Sequence, residues 1–542
     1  MTDGPSSAEE LLDNAILALG GEETLSKLMG VTYHSPNIYR SNSLMQSYEM
    51  AQADTAVAIR GHQNVSFSFA SNTLEQRIDR VLDPSGYWIW GSPKLDPFDF
   101  SLVTRDGSKD GFACFVRGNN QIWLPSNISS GYTDSALAEY LVLHGEMLSP
   151  KLTLKMKSNS ASISVVSIAL NGIQMPAVHD SSLDLTLILD PKTYIPHIVR
   201  TAETHEIYGP CTYDMYLTNY RVVDGLMFPH QITNVYNSSA TNLNAALENY
   251  IIEEITTNPS FASDFFSGIP ANESWFPPAP PRKVKGVTHG HLTEFFGNGL
   301  WSGINTDTLK DLQVERPFPG LPNVYWVLLK NDTLGVKQFI MEFENEVVVG
   351  DAPPQWTSNV IEWIQQNLKK PITHIWPTHH HRDHSGGASQ YIALGAKLIV
   401  PEMAVQYWSN LPNATFITFN ETHPYMHSDT SMQASFRWQP SAVHALDWTY
   451  AFVAPSCITS NSSVALLEAD VWQAGLPREQ SYEAPMRLWL DQLLRDGVTD
   501  RAVVAPTHGV VTPLTELIDI TGYPYPEVSP TSWRYGNGTC ST

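Results

Sequence analysis

Apolar and polar positions along the chain follow two different periods. In SAEELLDNAILALGG, residues 7–21, apolar side chains fall at 11, 12, 16, 17 and 19, one face of a helix. Ser7 stands at the N-cap position, Glu9 and Glu10 occupy the first turn, and Gly20 and Gly21 end it. Farther on the period falls to two. Leu183, Leu185, Leu187 and Leu189 alternate with polar or smaller residues, and Asp190-Pro191 marks a turn before the next strand. YRVVDGLMFPHQITNVYN, residues 220–237, reads the same way around Asp224-Gly225. These segments predict a mostly antiparallel sheet with one polar and one apolar face.

The later part of the chain alternates strands with helices. VYWVLLKN, VKQFIMEFENEVVVGDAP, ITHIWPT and KLIVPE read as strands. QWTSNVIEWIQQNLKK puts apolar residues at 360, 361, 364 and 368, with Lys369 and Lys370 at the helix C-terminus, where cations are favoured. HSGGASQYIALGA reads as a helix ending at glycine. This is the signature of a layered α/β unit. Between the two regions, Pro277, Pro278, Pro280 and Pro281 cannot continue a helix or a central strand. They mark a linker that divides residues 1–280 from 281–542, and a chain of 542 residues is long enough for two or three domains.

Charge and composition narrow the partners. A formal charge of −23 argues against the basic surface that nucleic acid or an anionic membrane requires. No apolar run reaches the roughly 18 residues of a membrane-spanning helix. Nine N-x-S/T sites occur, at Asn64, Asn127, Asn237, Asn272, Asn331, Asn413, Asn420, Asn461 and Asn537. That is about twice the number expected by chance and favours a secretory route. The N-terminus lacks the basic and apolar regions of a signal peptide, so the expectation is a mature secreted form without its leader, with an intracellular protein as the alternative. Four cysteines fit two disulfides, Cys114–Cys211 and Cys457–Cys540, one on each side of the linker. Free buried thiols are the competing reading.

The chemistry concentrates in PTHHHRDHSGG, residues 377–387. It follows the strand ITHIWPT and precedes a helix, and α/β proteins place their chemistry at the carboxyl ends of strands. His379 and His381 alternate, so an extended backbone points both the same way. Asp383 and His384 follow as the chain turns, and imidazoles and carboxylates are ligands for zinc and similar ions.

The pattern H-x-H-x-D-H followed by Gly-Gly resembles the signature of the metallo-β-lactamase superfamily. Candidates for the family's other ligands follow in order: His444 in SAVHALDW, Asp470 at the end of SVALLEAD, and His508 at the end of RAVVAPTH. Asp351, after EVVVG, matches an early acidic position that supports the site. The resemblance implies an αββα sandwich over about 285–515, preceded by the antiparallel β region. It also implies two zinc ions. His379, His381 and His444 would hold the first, and Asp383, His384 and His508 the second. Asp470 and a hydroxide would bridge them, with Asp383 and Asp470 as the catalytic carboxylates. His380 is expected to face away from the metals, His423 and His427 to lie in a loop near the pocket or in solvent, and His289 and His291 to be structural. Tyr407 and Trp408 belong to the core or the pocket edge.

The resulting expectation is a zinc hydrolase acting on a carbonyl-type bond, with ester or lactone first and an apolar or aromatic small-molecule substrate. His381 stands where the diiron flavoproteins carry Glu, and no flavodoxin-like region follows. A mononuclear iron sulfur dioxygenase would use the same fold but leave Asp383 and His384 without metal. The segments LDPKTYIPHIVR and YRVVDGLMFPHQI resemble lipoprotein-carrier-type domains, in which a curved sheet wraps a helix. That resemblance implies a packing or homodimerising role, with carriage of an apolar ligand, and metals that are structural only, as the third reading.

Overall fold

A computed structural model describes residues 7–41, 44, 50, 58–71, 73–83, 97–118, 131–238, 244–273, 277–285, 287–297, 308–329, 336–354, 356–475 and 484–536. The first helix forms over Ala8–Ala18, and the Ser7 hydroxyl accepts from the Glu10 amide at 3.1 Å as the capping pattern requires. The strands that follow build one large sheet of 14 strands between Gly30 and Thr257. All its pairings are antiparallel. Asp224 and Gly225 both take positive φ, 48° and 82°, which is the turn that lets Gly209–Val223 return as Leu226–Ser238. The helix Ser135–Leu148 buries most of one face against this sheet, and its N-cap Asp134 accepts from the amides of Ala136 and Leu137.

Two smaller sheets follow, one of seven strands from Leu312 to Phe419 and one of six from Tyr425 to Pro513. Each mixes antiparallel and parallel pairs. Val347–Gly350 runs parallel to Ile372–Trp376, and Ala465–Glu468 parallel to Val503–Pro506. The period of two is visible in how side chains partition. Val324, Trp326, Val348, Trp376 and Ile399 enter the apolar layer shared with Phe436, Val453 and Leu467 of the six-stranded sheet. Their neighbours Tyr325, Val327, Val349 and Ile375 face the other way, in the core that holds Val360 and Ile364 of the helix Thr357–Asn367. The outer face of the six-stranded sheet packs Tyr450, Phe452 and Val504 against Trp489, Leu490 and Leu493 of the helix Ala484–Asp496. The predicted helix after His384 is split: Arg382–Ser385 and Ala388–Ala393 are separated by Gly386 and Gly387. Among the described residues, no helix is long and apolar enough to cross a membrane.

The expected bridge Cys114–Cys211 is not formed, and both thiols are free and buried. The two cysteines sit on strands Phe112–Arg117 and Gly209–Val223 of the same sheet, with six strands between them. A disulfide needs its Cα atoms within about 7 Å. The even split of cysteines across the linker carries no information on that separation. Cys540, the partner expected for Cys457, lies outside the described residues, as do Asn127, Asn331 and Asn537. Burial pushes the Cys114 thiol up to about 12, and raises Cys211 as well. Both should therefore resist a thiol reagent in the native protein and react in denaturant without reductant, giving at least two thiols per chain. A count below two would show that one of them is bridged.

Candidate metal centre

Four strand ends converge on one buried spot. Asp351 follows Val347–Gly350, residues 378–384 follow Ile372–Trp376, Asp470 follows Ala465–Glu468, and His508 follows Val503–Pro506. His444 comes from the connection between Met432–Trp438 and Thr449–Pro455. Asp351 and Asp470 both have positive φ, 59° and 68°. A non-glycine residue pays about 1–3 kcal/mol for such a conformation, so its surroundings must hold it there. For Asp351 the hold is visible: its carboxylate accepts from the Thr378 amide at 2.8 Å and the Thr507 hydroxyl at 2.7 Å, and it pairs with His384 Nδ1 at 3.0 Å. The Ala352 amide donates to the His384 carbonyl, and the Gly387 amide to the Ala352 carbonyl. A side chain at Gly387 would put its Cβ 1.9 Å from Thr357 Oγ1, so only glycine lets the loop pass this close.

The structure brings all seven predicted ligand residues together as two buried groups that share Asp470: His379, His381, His444 and Asp470, and Asp383, His384, Asp470 and His508. A tetrahedral zinc ion with ligands at about 2.0–2.1 Å sets its donor atoms about 3.3 Å apart. In the first group, His444 Nε2 lies 3.1 Å from His379 Nε2 and 3.0 Å from His381 Nδ1. Asp470 Oδ2 is 3.4 Å from His379 Nε2 and 3.3 Å from His444 Nε2. In the second, His384 Nε2 is 2.8 Å from Asp470 Oδ2 and 3.4 Å from Asp383 Oδ2, and His508 Nε2 is 3.3 Å from Asp470 Oδ1 and 3.7 Å from Asp383 Oδ2. Despite these approaches, His384 Nε2 and both Asp470 oxygens are buried without a hydrogen bond. Their lone pairs face common points rather than one another's hydrogens, and burying such atoms is costly unless a cation takes them up. The donor sets therefore fit two metal ions.

The charges are arranged to the same end. Burial pushes His379 and His381 well below the range of a free imidazole, and the neighbouring imidazoles push further. Burial also disfavours a proton on His384, but Asp383, Asp470 and Asp351 outweigh it and raise its pKa well above normal. For Asp470 and Asp383, burial favours the neutral acid, and the imidazoles, His384 above all, reverse this and hold both ionised.

A second layer braces the ligands. His380 is fully buried, with Nδ1 2.7 Å from Asp447 and its ring beside Tyr407, which with Trp408 belongs to the core. Arg382, between two ligand candidates, is 1% exposed. Its Nε donates to Glu294 at 2.7 Å and its Nη2 to Glu206. Glu294 lies on the helix His289–Gly297 and Glu206 beside the strand Pro196–His205, so through Glu206 the large-sheet region reaches the loop directly. Sequence reasoning missed this pair, although an arginine inside a ligand motif was a signal that its charge needs carboxylate partners. His289 pairs with Glu139 at 2.9 Å, which agrees with a structural role. His423 is exposed in its loop. His427, expected in a loop, lies on the strand Tyr425–Ser428 and pairs with Glu346 at 3.1 Å, forming with His374 a third, half-buried group of potential donors.

No family model and no curated protein sequence matches the chain. Among solved structures it is similar to a metallo-beta-lactamase from Pontibacter korlensis, with TM-score 0.29 and 15% identity, covering 39% of this chain and 97% of that one. It is similar to VMB-1 with TM-score 0.29 and 16% identity, covering 39% and 96%. For the flavodiiron protein from Giardia intestinalis the values are 0.29 and 14%, covering 39% and 59%. These neighbours are metallo-β-lactamase-fold proteins.

Elemental analysis of protein purified without added metal should find two divalent ions per chain in the shared-carboxylate site. Asp351→Ala, which removes the partner orienting His384, should weaken the ion at Asp383, His384 and His508 by about 10–100-fold and spare the other. Equal loss of both would show that Asp351 does not act through His384. Acid should separate the ions as well. Protons compete for His384 at a higher pH than for His379 or His381, so stepwise dialysis to lower pH should pass through a one-ion state. Simultaneous loss of both ions would contradict this ordering.

Proposed function

We propose that the chain is a dinuclear zinc hydrolase of the metallo-β-lactamase superfamily, acting on a carbonyl-type bond, with esters and lactones first. The observation that carries this reading is the pair of four-donor groups sharing Asp470. On this reading, residues 281–542 form the αββα catalytic unit and residues 1–280 a separate β-rich one. The protein is secreted, and its substrate is a small apolar or aromatic molecule. Zinc is favoured because imidazole and carboxylate donors stand at tetrahedral spacing. Two such cations, when bound, supply acidified water and an electrophile for a carbonyl oxygen.

The chain's own residues do the remaining work. Asp470, rigidly placed by its left-handed backbone, keeps the two donor groups at one separation. Asp383 is held ionised by His384 and His508, so its carboxylate is available as an anionic donor to the second group. Trp376 and Trp448 back the site from within the core, Trp448 through its indole N–H on the Ala469 carbonyl at 2.6 Å, and keep bulk water from reaching the ligands from behind. Asp383 and His384 belong to the same buried set as His508 and Asp470, which favours the dinuclear hydrolase over a mononuclear iron dioxygenase.

A panel of aryl esters and lactones, with metal content measured on the same sample, tests the proposal. Turnover should scale with zinc, and Asp470→Ala should abolish it while the circular dichroism spectrum stays unchanged. One iron per chain with sulfur dioxygenation in place of hydrolysis would overturn it. Because protons compete with metal for imidazoles of free pKa about 6.5, activity should fall below about pH 6, and less steeply with excess zinc. Full activity at pH 4 in both series would remove the metals from the chemistry.

A further inference from the structure

Away from the ligand loops, the two smaller sheets meet at another cluster of metal-capable side chains. Glu346 immediately precedes the strand Val347–Gly350, and His374 lies on the neighbouring strand Ile372–Trp376 of the seven-stranded sheet. His427 comes from the other sheet, on its strand Tyr425–Ser428. Asp351 follows the far end of Val347–Gly350, so Glu346 stands at the opposite end of that strand from the Asp470 groups. One donor atom from each of the three residues lies within 4.8 Å of the others.

Each donor is held by a partner outside the cluster. The Thr373 hydroxyl donates to Glu346 Oε2 at 2.5 Å. Its one proton is then committed, so its oxygen accepts from His374 Nδ1 at 2.8 Å. That leaves the His374 lone pair on Nε2, which makes no hydrogen bond among the described residues, in a side chain that is 7% exposed. The other oxygen of Glu346, Oε1, is 3.1 Å from His427 Nε2, and the Tyr425 hydroxyl is 2.9 Å from His427 Nδ1. Phe343 packs edge-on against the His427 ring with centroids 4.4 Å apart. An imidazole that ligates a metal gives its other ring N–H to a partner, and Thr373 and Tyr425 stand in that place. Burial pushes His374 down to about 4 and lowers His427 too, so near neutral pH both rings are uncharged and offer a lone pair. Glu346 and Asp429 favour a cation here, and Lys397 alone opposes it among the charges acting on the two rings.

We infer that Glu346, His374 and His427 form a third metal site, which takes one zinc ion between the two sheets. Imidazole and carboxylate donors suit zinc, and three of them leave the fourth tetrahedral position to water. The ion draws donors now within 4.8 Å to about 3.3 Å of one another. Because they come from both sheets, it clamps the sheets together. It binds more weakly than the Asp470 groups, which have four buried donors each, and fills only when zinc is added. The site is separate from the reaction proposed above.

The test counts zinc bound to the full chain by equilibrium dialysis, in wild type, Glu346→Gln and His427→Gln. At about 100 µM free zinc, wild type should hold one ion more than either variant, whose affinity at this site falls roughly tenfold or more. The readout is this difference of one ion, whatever the Asp470 groups hold. The added zinc should also raise the melting temperature of wild type and leave that of the variants unmoved. Magnesium, which prefers oxygen donors, should produce neither effect. Glu346→Gln keeps an oxygen for Thr373 and offers an N–H to His427, so it decides the matter should His427→Gln fail to fold. Equal zinc in wild type and the folded variants overturns the inference, whether the extra ion appears in all or in none. An extra ion that leaves the melting temperature unchanged overturns the clamp.

Discussion

The geometry around Asp470 is the constraint on which the rest depends. Its carboxylate is fully buried, sits on a left-handed backbone, and approaches His379, His384, His444 and His508 within 3.4 Å. A carboxylate taken out of water costs several kcal/mol unless cationic groups surround it. Here the surrounding groups are imidazoles from three separate connections, each anchored at the end of a strand or hairpin. The chain can satisfy Asp470 only if both small sheets are in register at once. Their stacking through Trp376, Phe436 and Leu467 is therefore a condition for the site as well as for stability.

The same logic explains why the ligand loop is so heavily braced. Residues 378–385 are buried almost completely, although five of them are histidines or acids and one is arginine. Three have a partner from elsewhere in the chain: Asp351 for His384, Asp447 for His380, Glu294 and Glu206 for Arg382. Removing one member of such a buried pair strands a charge, which is why these contacts hold the loop more tightly than surface pairs of the same length could. They also tie the large sheet to the metal centre. The Leu446 amide, two residues beyond His444, donates to the Met50 carbonyl and adds another such tie.

Buried charge recurs in the large sheet, where Arg40 and Arg80 both approach Glu248 under the helix Ser135–Leu148.

What the sequence determined by itself was everything that repeats or is spaced over a few residues. The period of two around Leu183–Leu189, the helical face at 360, 361, 364 and 368, and the cap at Ser7 all appear as expected. So does the grouping of His379, His381, Asp383 and His384 with Asp351, His444, Asp470 and His508, because each follows a strand-like segment in a recognisable order. These features are legible because backbone geometry alone fixes which side chains within a turn or a strand share a face. Tertiary structure alone decided the rest. It put six strands between Cys114 and Cys211, turned His380 to Asp447, gave Arg382 its carboxylates from Glu206 and Glu294, and set two arginines on one glutamate across the large sheet. Those partners are separated by tens to hundreds of residues, and no local periodicity records which distant strand the chain will bring beside which. A buried charge finds its partner only when the sheets have closed around it.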